Sequence, residues 1–294
     1  MKRAGAVLGL CLFTLSLLAA GALPAQAGGP ALRLNPAVLA PGQPALVTWG
    51  SKSGGRPPHL AFQGRSWPMW PIKGGFQGVV ACDLGAKTGR TPLVLRSGQK
   101  TLASLLVTVA PRDYGVRKIT VDPKFLKLSP AQLRRHKAEM VRQKAVYQSL
   151  TGRMWQGFFL QPVPGPVTGA FGRESVINGE PRSPHGGVDL KAPEGQPVVA
   201  AAAGRVALAE DTFFGGNTVL IDHGQGLISG YRHLEKIEVK PGQRVTKGQI
   251  IGLVGMTGRV TGPHLHYDVH LNRARIDPLA WQGLTRRLAP IQER

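Results

Sequence analysis

Six of the eight histidines in this 294-residue chain fall between His185 and His270. The first belongs to Pro184-His185-Gly186-Gly187-Val188-Asp189-Leu190, where an imidazole and a carboxylate stand four residues apart. A proline before the histidine and two glycines after it disfavour a helix, and glycine lets the backbone turn tightly enough for both side chains to converge on one ion. Alone, such a pair is an ordinary hydrogen-bonded surface pair. The second piece is Gly262-Pro263-His264-Leu265-His266-Tyr267-Asp268-Val269-His270. Polar side chains alternate there with Leu265, Tyr267 and Val269, which is strand period and puts His264 and His266 on one face. The third is Tyr231-Arg232-His233-Leu234, at the end of an expected strand; His223, in Ile221-Asp222-His223-Gly224, reads as structural.

Taken together, these residues fit a catalytic metal. Catalytic zinc takes three protein ligands from His, Asp, Glu or Cys and keeps a fourth position for water. Several histidines and an aspartate, with no pairable thiolate, suit zinc without excluding other divalent ions. Spacing does not say which histidines bind. There is no Gly-x-Gly-x-x-Gly after a strand, no phosphate-binding loop, no Gly-x-Ser-x-Gly elbow and no His-Glu-x-x-His helix.

The elements that must hold these groups read as β-rich. Gly 39 and Pro 24 imply many turns, and 42% hydrophobic residues suffice for real cores. Short apolar runs at Val198–Ala201, Thr218–Asp222, Ile250–Val254 and Leu265–Leu271 predict a mostly antiparallel sheet with long loops over residues 153–294. Runs at Ala45–Trp49, Val79–Ala81, Leu93–Leu95 and Leu105–Val109, separated by Pro41-Gly42, Gly54-Gly55, Gly74-Gly75 and Ser97-Gly98, predict a β-sandwich-like module over 28–110. His59, a lone histidine there, reads as structural or surface. Between the two, 111–152 reads as a basic helical connector. Ser129-Pro130-Ala131-Gln132 is a helix start, and the helix is expected to run to about Leu150 with Gly152 as its stop. Leu133, Met140 and Tyr147 recur every seven residues as a packing stripe; Arg134, Arg135, Lys137, Arg142 and Lys144 read as a solvated face, and His136 is given no role.

Residues 1–27 have the three-part secretory pattern: Lys2-Arg3, an uncharged apolar run from Ala4 to Ala22, and Ala25-Gln26-Ala27 before Gly28. Cleavage after Ala27 is expected; a retained anchor is the competing reading. Cys11 lies within the apolar run and lacks a lipoprotein context, and Cys82, in Val79-Val80-Ala81-Cys82, reads as a buried structural thiol. The formal charge is +21, most of it before residue 151. For an exported chain this points to anionic cell-envelope polymers or a lipid surface as partner, and export argues against nucleic acid.

The segment 164–280 resembles the lysostaphin-type (LytM-like) zinc metallopeptidases, metallopeptidase family 23. The matching motifs run in order: Thr168-Gly169-Ala170-Phe171-Gly172, His185 to Pro193, Gly215-Gly216-Asn217, Tyr231-Arg232-His233-Leu234, Gly248 to Gly252, Gly255 to His266, and Ile276-Asp277-Pro278. The resemblance implies a duplicated-hybrid-motif β fold and one zinc per chain. It implies His185, Asp189 and His266 as ligands, with His233 and His264 as non-ligand catalytic histidines. All five are present, unlike in relatives that lost the metal and became amidase activators. The implied activity is hydrolysis of peptidoglycan peptides, at glycine bridges or direct cross-links, by a zinc-activated water with no covalent intermediate. With the secretory pattern of residues 1–27, the expected place is the periplasm, envelope or exterior. The rival readings are a non-catalytic peptidoglycan-binding regulator of another hydrolase and an envelope-binding β protein with structural zinc.

Overall fold

In the computed structural model, residues 31–51, 56–120 and 127–290 are described. The expected signal segment, its cleavage site, Cys11 and the Gly54-Gly55 turn lie outside these. Among the described residues no helix is long and apolar enough to cross a membrane.

The sequence alternation is realised most clearly in the strand Leu265–Leu271. Leu265, Tyr267, Val269 and Leu271 are buried on one face, while His266 and His270 on the other are half-buried. Its central neighbour is the long strand Leu227–Ile237. Among the described residues the sheet runs in the order Val167–Gly169, Val188–Leu190, Leu265–Leu271, Leu227–Ile237, Gly216–Gly224, Gly204–Thr212, Arg244–Val245, with every pairing antiparallel. Leu227–Ile237 changes partner midway. Leu227 to Arg232 pair with Leu271 to His266, and Leu234 onward pairs with Ile250–Val254. His233 sits at that change, with φ +65.

The N-terminal module is sandwich-like, as expected. Among the described residues, eight strands between Leu32 and Val109 form one continuous sheet. Arg65–Ile72 joins its two halves: Arg65 to Pro68 pair with His59–Phe62, and Met69 to Ile72 with Gly75 to Gly78. Proline lacks a backbone donor and is tolerated where ladder pairing is interrupted, and Pro68 falls at this switch. Cys82 is fully buried, and burial pushes its pKa up to about 11, so it is an inert core thiol. One hydrophobic cluster runs from Leu32 in this module to Leu284 in the C-terminal part. Gln77, buried in the module, clamps Ala289 through both ends of its side-chain amide, its NH2 donating to the carbonyl and its oxygen accepting from the N–H.

The connector differs from expectation in two ways. It contributes a strand, Val116–Ile119, that pairs in parallel with Glu174–Ile177. Its helix, Pro130–Tyr147, opens with the expected capping box at Ser129 and Gln132 but docks on another face. Leu133 and Met140 of the expected stripe are exposed, at 41% and 56%. Glu139 is buried instead, accepting from Phe213 N and Arg135 Nε, while Val146 and Tyr147 pack on Leu208, Leu220 and Ile228. Arg135 also pairs with Asp211 and Arg142 with Glu210, so two of the five expected solvated cations tie the helix to the sheet. Of the heptad stripe only Tyr147 docks; the heptad count missed Glu139, Arg135 and Arg142 because those docking groups are polar.

Candidate active site

Val188–Leu190 and Leu265–Leu271 are adjacent antiparallel strands with Asp189 directly opposite His266. Cross-strand neighbours on one face lie about 5 Å apart at Cβ, so the carboxylate and imidazole must meet. His185 arrives from the loop before, held by backbone bonds His185 N to Arg173 O and Gly172 N to His185 O. Gly187 is required there, because a Cβ would run into the Tyr267 carbonyl and His266 Nε2. A Cβ at Gly169 would likewise collide with the Asp189 carboxylate.

Three donor atoms result. His185 Nε2 lies 3.1 Å from Asp189 Oδ1, His266 Nδ1 lies 3.0 Å from the same oxygen, and the two nitrogens are 3.0 Å apart. Tetrahedral zinc at about 2.0–2.1 Å from each ligand would separate its ligand atoms by about 3.3 Å. The triangle is thus close to the size one zinc requires, and its N, N, O composition suits that ion. Among the described residues these three are the group whose donor atoms could share a metal. The His185 ring is fixed by its other nitrogen, Nδ1, 3.0 Å from the Ala170 carbonyl.

His264 and His233 stand beside the triangle. His264 occupies an isolated bridge to Gly255 just before the strand. Its Nδ1 is 2.9 Å from the Gly262 carbonyl, and its Nε2 lies 3.7 Å from Asp189 Oδ1. His233 Nδ1 is 3.0 Å from the Thr257 carbonyl, and the two rings are 5.0 Å apart at their centroids. A carbonyl only accepts, so each neutral ring carries its proton on Nδ1 and turns an Nε2 lone pair outward. The left-handed backbone at His233 is costly for a non-glycine residue, and such strain tends to persist at functional positions.

The charges follow from burial and pairing. Burial opposes ionisation of Asp189, but the hydrogen bonds from His185 and His266 prevail and hold its carboxyl well below the usual range. Burial also disfavours charged His185, yet the bond and charge of Asp189 raise its pKa. Burial is the main cause lowering His266, and it drives His233 to about 3 with help from His266. The structure places His223 apart from this group. It is fully buried, bonded to the Ala203 carbonyl and Ser229 Oγ, as a structural histidine.

Sequence reasoning missed a second layer. Arg232 Nε donates to Asp268 Oδ1 at 2.9 Å, and Arg232 also donates to Tyr147 Oη at 2.7 Å and Gln143 Oε1 at 3.2 Å. The period-2 pattern already put Asp268 on the histidine face; what it lacked was the helix that covers it. His136, given no role, meets Phe214 edge-on at 4.7 Å. With Arg232, His233 and His266, it lines a cleft of about 330 Å³ beside the donor triangle.

The model of peptidase family M23 matches residues 183–278. Peptidoglycan DD-endopeptidase ShyA of Vibrio cholerae serotype O1 is 49% identical over 87 residues, 30% of this chain and 20% of that protein. Peptidoglycan DD-endopeptidase ShyC of the same organism is 47% identical over 94 residues, 32% and 22% respectively. The chain therefore spans about a fifth of the length of these curated relatives. A solved Pseudomonas aeruginosa structure assigned to peptidase M23 is 35% identical, covers 83% of this chain and 95% of its own, and superimposes with a TM-score of 0.67. That likeness reaches well beyond the matched segment and takes in nearly all of the other protein, so this chain belongs to peptidase family M23.

Proposed function

We propose that the chain is an exported zinc metalloendopeptidase that hydrolyses peptide cross-links in peptidoglycan. The observation that carries this is the triangle of His185 Nε2, Asp189 Oδ1 and His266 Nδ1, flanked by two histidines with outward Nε2 atoms. The names of the V. cholerae relatives favour the DD cross-link over a glycine bridge. A zinc ion held by the three residues would polarise the scissile carbonyl and bring the pKa of water to about 7. The chain's own residues would do the rest. Asp189, kept ionised by its two imidazole neighbours, supplies negative charge to the ligand set. His233 and His264 each keep Nε2 free to take a proton from the attacking water, or to give one to the leaving amine. Their Nδ1 bonds to backbone carbonyls stop the rings from flipping away.

The secretory pattern of residues 1–27 and the basic charge before residue 151 support export and adhesion to anionic envelope polymers. The test is to digest purified sacculi with residues 28–294 plus zinc and identify the fragments by mass spectrometry. Conversion of cross-linked dimers to monomers supports the reading. Sacculus binding without any new fragment, from zinc-loaded protein, replaces it with the regulator reading.

A further inference from the structure

The donor triangle uses His266 Nδ1, so Nε2 of that ring faces the other way. There it meets Asp268 Oδ1 at 3.8 Å. A ring that gives its Nδ1 lone pair to a metal must carry its proton on Nε2. A carboxylate on that side favours this tautomer and makes the ligand nitrogen more electron-rich. Asp268 is only 3% exposed, and charge burial is costly unless the charge is paired. Arg232 supplies the pair at 2.9 Å. A buried ion pair contributes little net stability, so stability alone is a weak reason for placing one here.

What holds the pair is not in the sheet. Tyr147 Oη accepts from Arg232 and lies 3.3 Å from Asp268 Oδ2, and Gln143 Oε1 accepts from Arg232. Both residues come from the helix Pro130–Tyr147, outside the segment 183–278 that matches the family model. The Tyr147 ring also stacks on His270, with centroids 3.8 Å apart. An uninterrupted chain of contacts thus runs from the helix through Arg232 and Asp268 to a metal-donor ring.

We propose that Asp268 is a positioning residue for His266, and that the connector helix, through Tyr147 and Gln143, keeps Asp268 and Arg232 in place for it. This rests on the reading of His266 as a zinc ligand. The helix is then a working part of the metal site rather than a spacer.

The test measures zinc affinity by competition with a chelating dye, and the visible spectrum of the cobalt(II)-loaded protein, for wild type, Asp268→Asn, Tyr147→Phe and Arg142→Ala. Asp268→Asn keeps an oxygen for Arg232 and removes the charge; Tyr147→Phe keeps the stacked ring and removes the hydroxyl. Arg142 ties the helix to Glu210 away from the chain of contacts and serves as the control. The expected result is a roughly 10- to 100-fold loss of zinc affinity in Asp268→Asn. A smaller loss is expected in Tyr147→Phe, with a changed cobalt spectrum in both and neither effect in Arg142→Ala. Wild-type affinity in a folded Asp268→Asn overturns the proposal. If Asp268→Asn does not fold, Tyr147→Phe decides: unchanged zinc affinity and spectrum overturn it. Equal losses in Tyr147→Phe and Arg142→Ala would mean general loosening of the helix and also overturn it. A wild-type protein that binds no zinc would instead remove the metal-site reading beneath it.

Discussion

His233 donates its Nδ1 proton to the carbonyl of Thr257 across 3.0 Å, from a backbone position with φ +65. The bond aims Nε2 at the cleft, and the backbone strain is the cost of that aim. Removing the ring should leave the donor triangle whole, since His233 is no part of it. His233→Ala is expected to keep zinc and lose turnover by about 100- to 10,000-fold. His233→Gly should be equally inactive yet more stable than His233→Ala by about 1 kcal/mol, because glycine accepts positive φ and alanine does not. Urea unfolding of the two variants checks this; an alanine variant at least as stable as the glycine one would show that the backbone there is unstrained.

His264 and His266 are two residues apart and should fail differently. His266 offers Nδ1 at 3.0 Å to both other donors, whereas His264 Nε2 stands off at 3.7 Å from Asp189. His266→Ala is expected to lose zinc and activity together. His264→Ala is expected to retain near-full zinc while sacculus hydrolysis drops by about 100- to 10,000-fold. Metal analysis beside the digestion assay separates them. Equal zinc loss would make both ligands, and full activity in His264→Ala would leave proton transfer to His233.

The difference between these two histidines was only partly legible from the sequence. Alternation around Leu265, Tyr267 and Val269 put both on one face, because a half-buried strand writes its geometry at period 2. Spacing left the donor assignment open and only the family resemblance implied it; what the pattern could not show is the cross-strand register that sets Asp189 against His266, a contact spanning 77 residues. The docking of the Pro130–Tyr147 helix was legible only at its C-terminal end, where Tyr147 of the expected stripe packs on the sheet. Apolar periodicity pointed to Leu133, Met140 and Tyr147, of which Leu133 and Met140 are exposed; Glu139, Gln143 and Arg142 add polar ties whose partners lie 68 to 89 residues away. Polar ties of this kind leave no hydrophobic period to read.

His223 sets a pH dependence of stability away from the cleft. It is fully buried, and burial lowers its pKa from 6.5 to about 4. The unfolded chain takes up this proton below about pH 6.5, while the folded chain refuses it until about pH 4. The contribution is therefore complete above pH 6.5, declines as pH falls toward 4, and changes no further below. The loss is about 2–3 kcal/mol between pH 7 and 4.5. In metal-free protein, His223→Gln should show a correspondingly shallower decline over that interval. His270, lowered to about 4 chiefly by burial, keeps the variant's decline from vanishing. Identical pH profiles for wild type and variant would show that His223 titrates normally in the fold.

Asp189 offers the most direct test of the metal site. Its Oδ1 is 3.1 Å from His185 Nε2 and 3.0 Å from His266 Nδ1, so it is the only donor in the triangle that carries a charge when both imidazoles are neutral. Asp189→Asn preserves the shape and can still hydrogen-bond, so the fold should survive. Its amide is a far weaker ligand for a divalent ion than a carboxylate. An ion that binds the native but not the unfolded state stabilises by RT ln(1 + [L]/Kd), about 4 kcal/mol at a thousandfold excess over Kd. Wild-type protein is therefore expected to melt at a clearly higher temperature with zinc than with a chelator. Asp189→Asn should melt at one temperature in both and hydrolyse no cross-links. Retention of the zinc-dependent shift in Asp189→Asn would move the site elsewhere. A wild-type protein indifferent to zinc would remove the metal from the reading altogether.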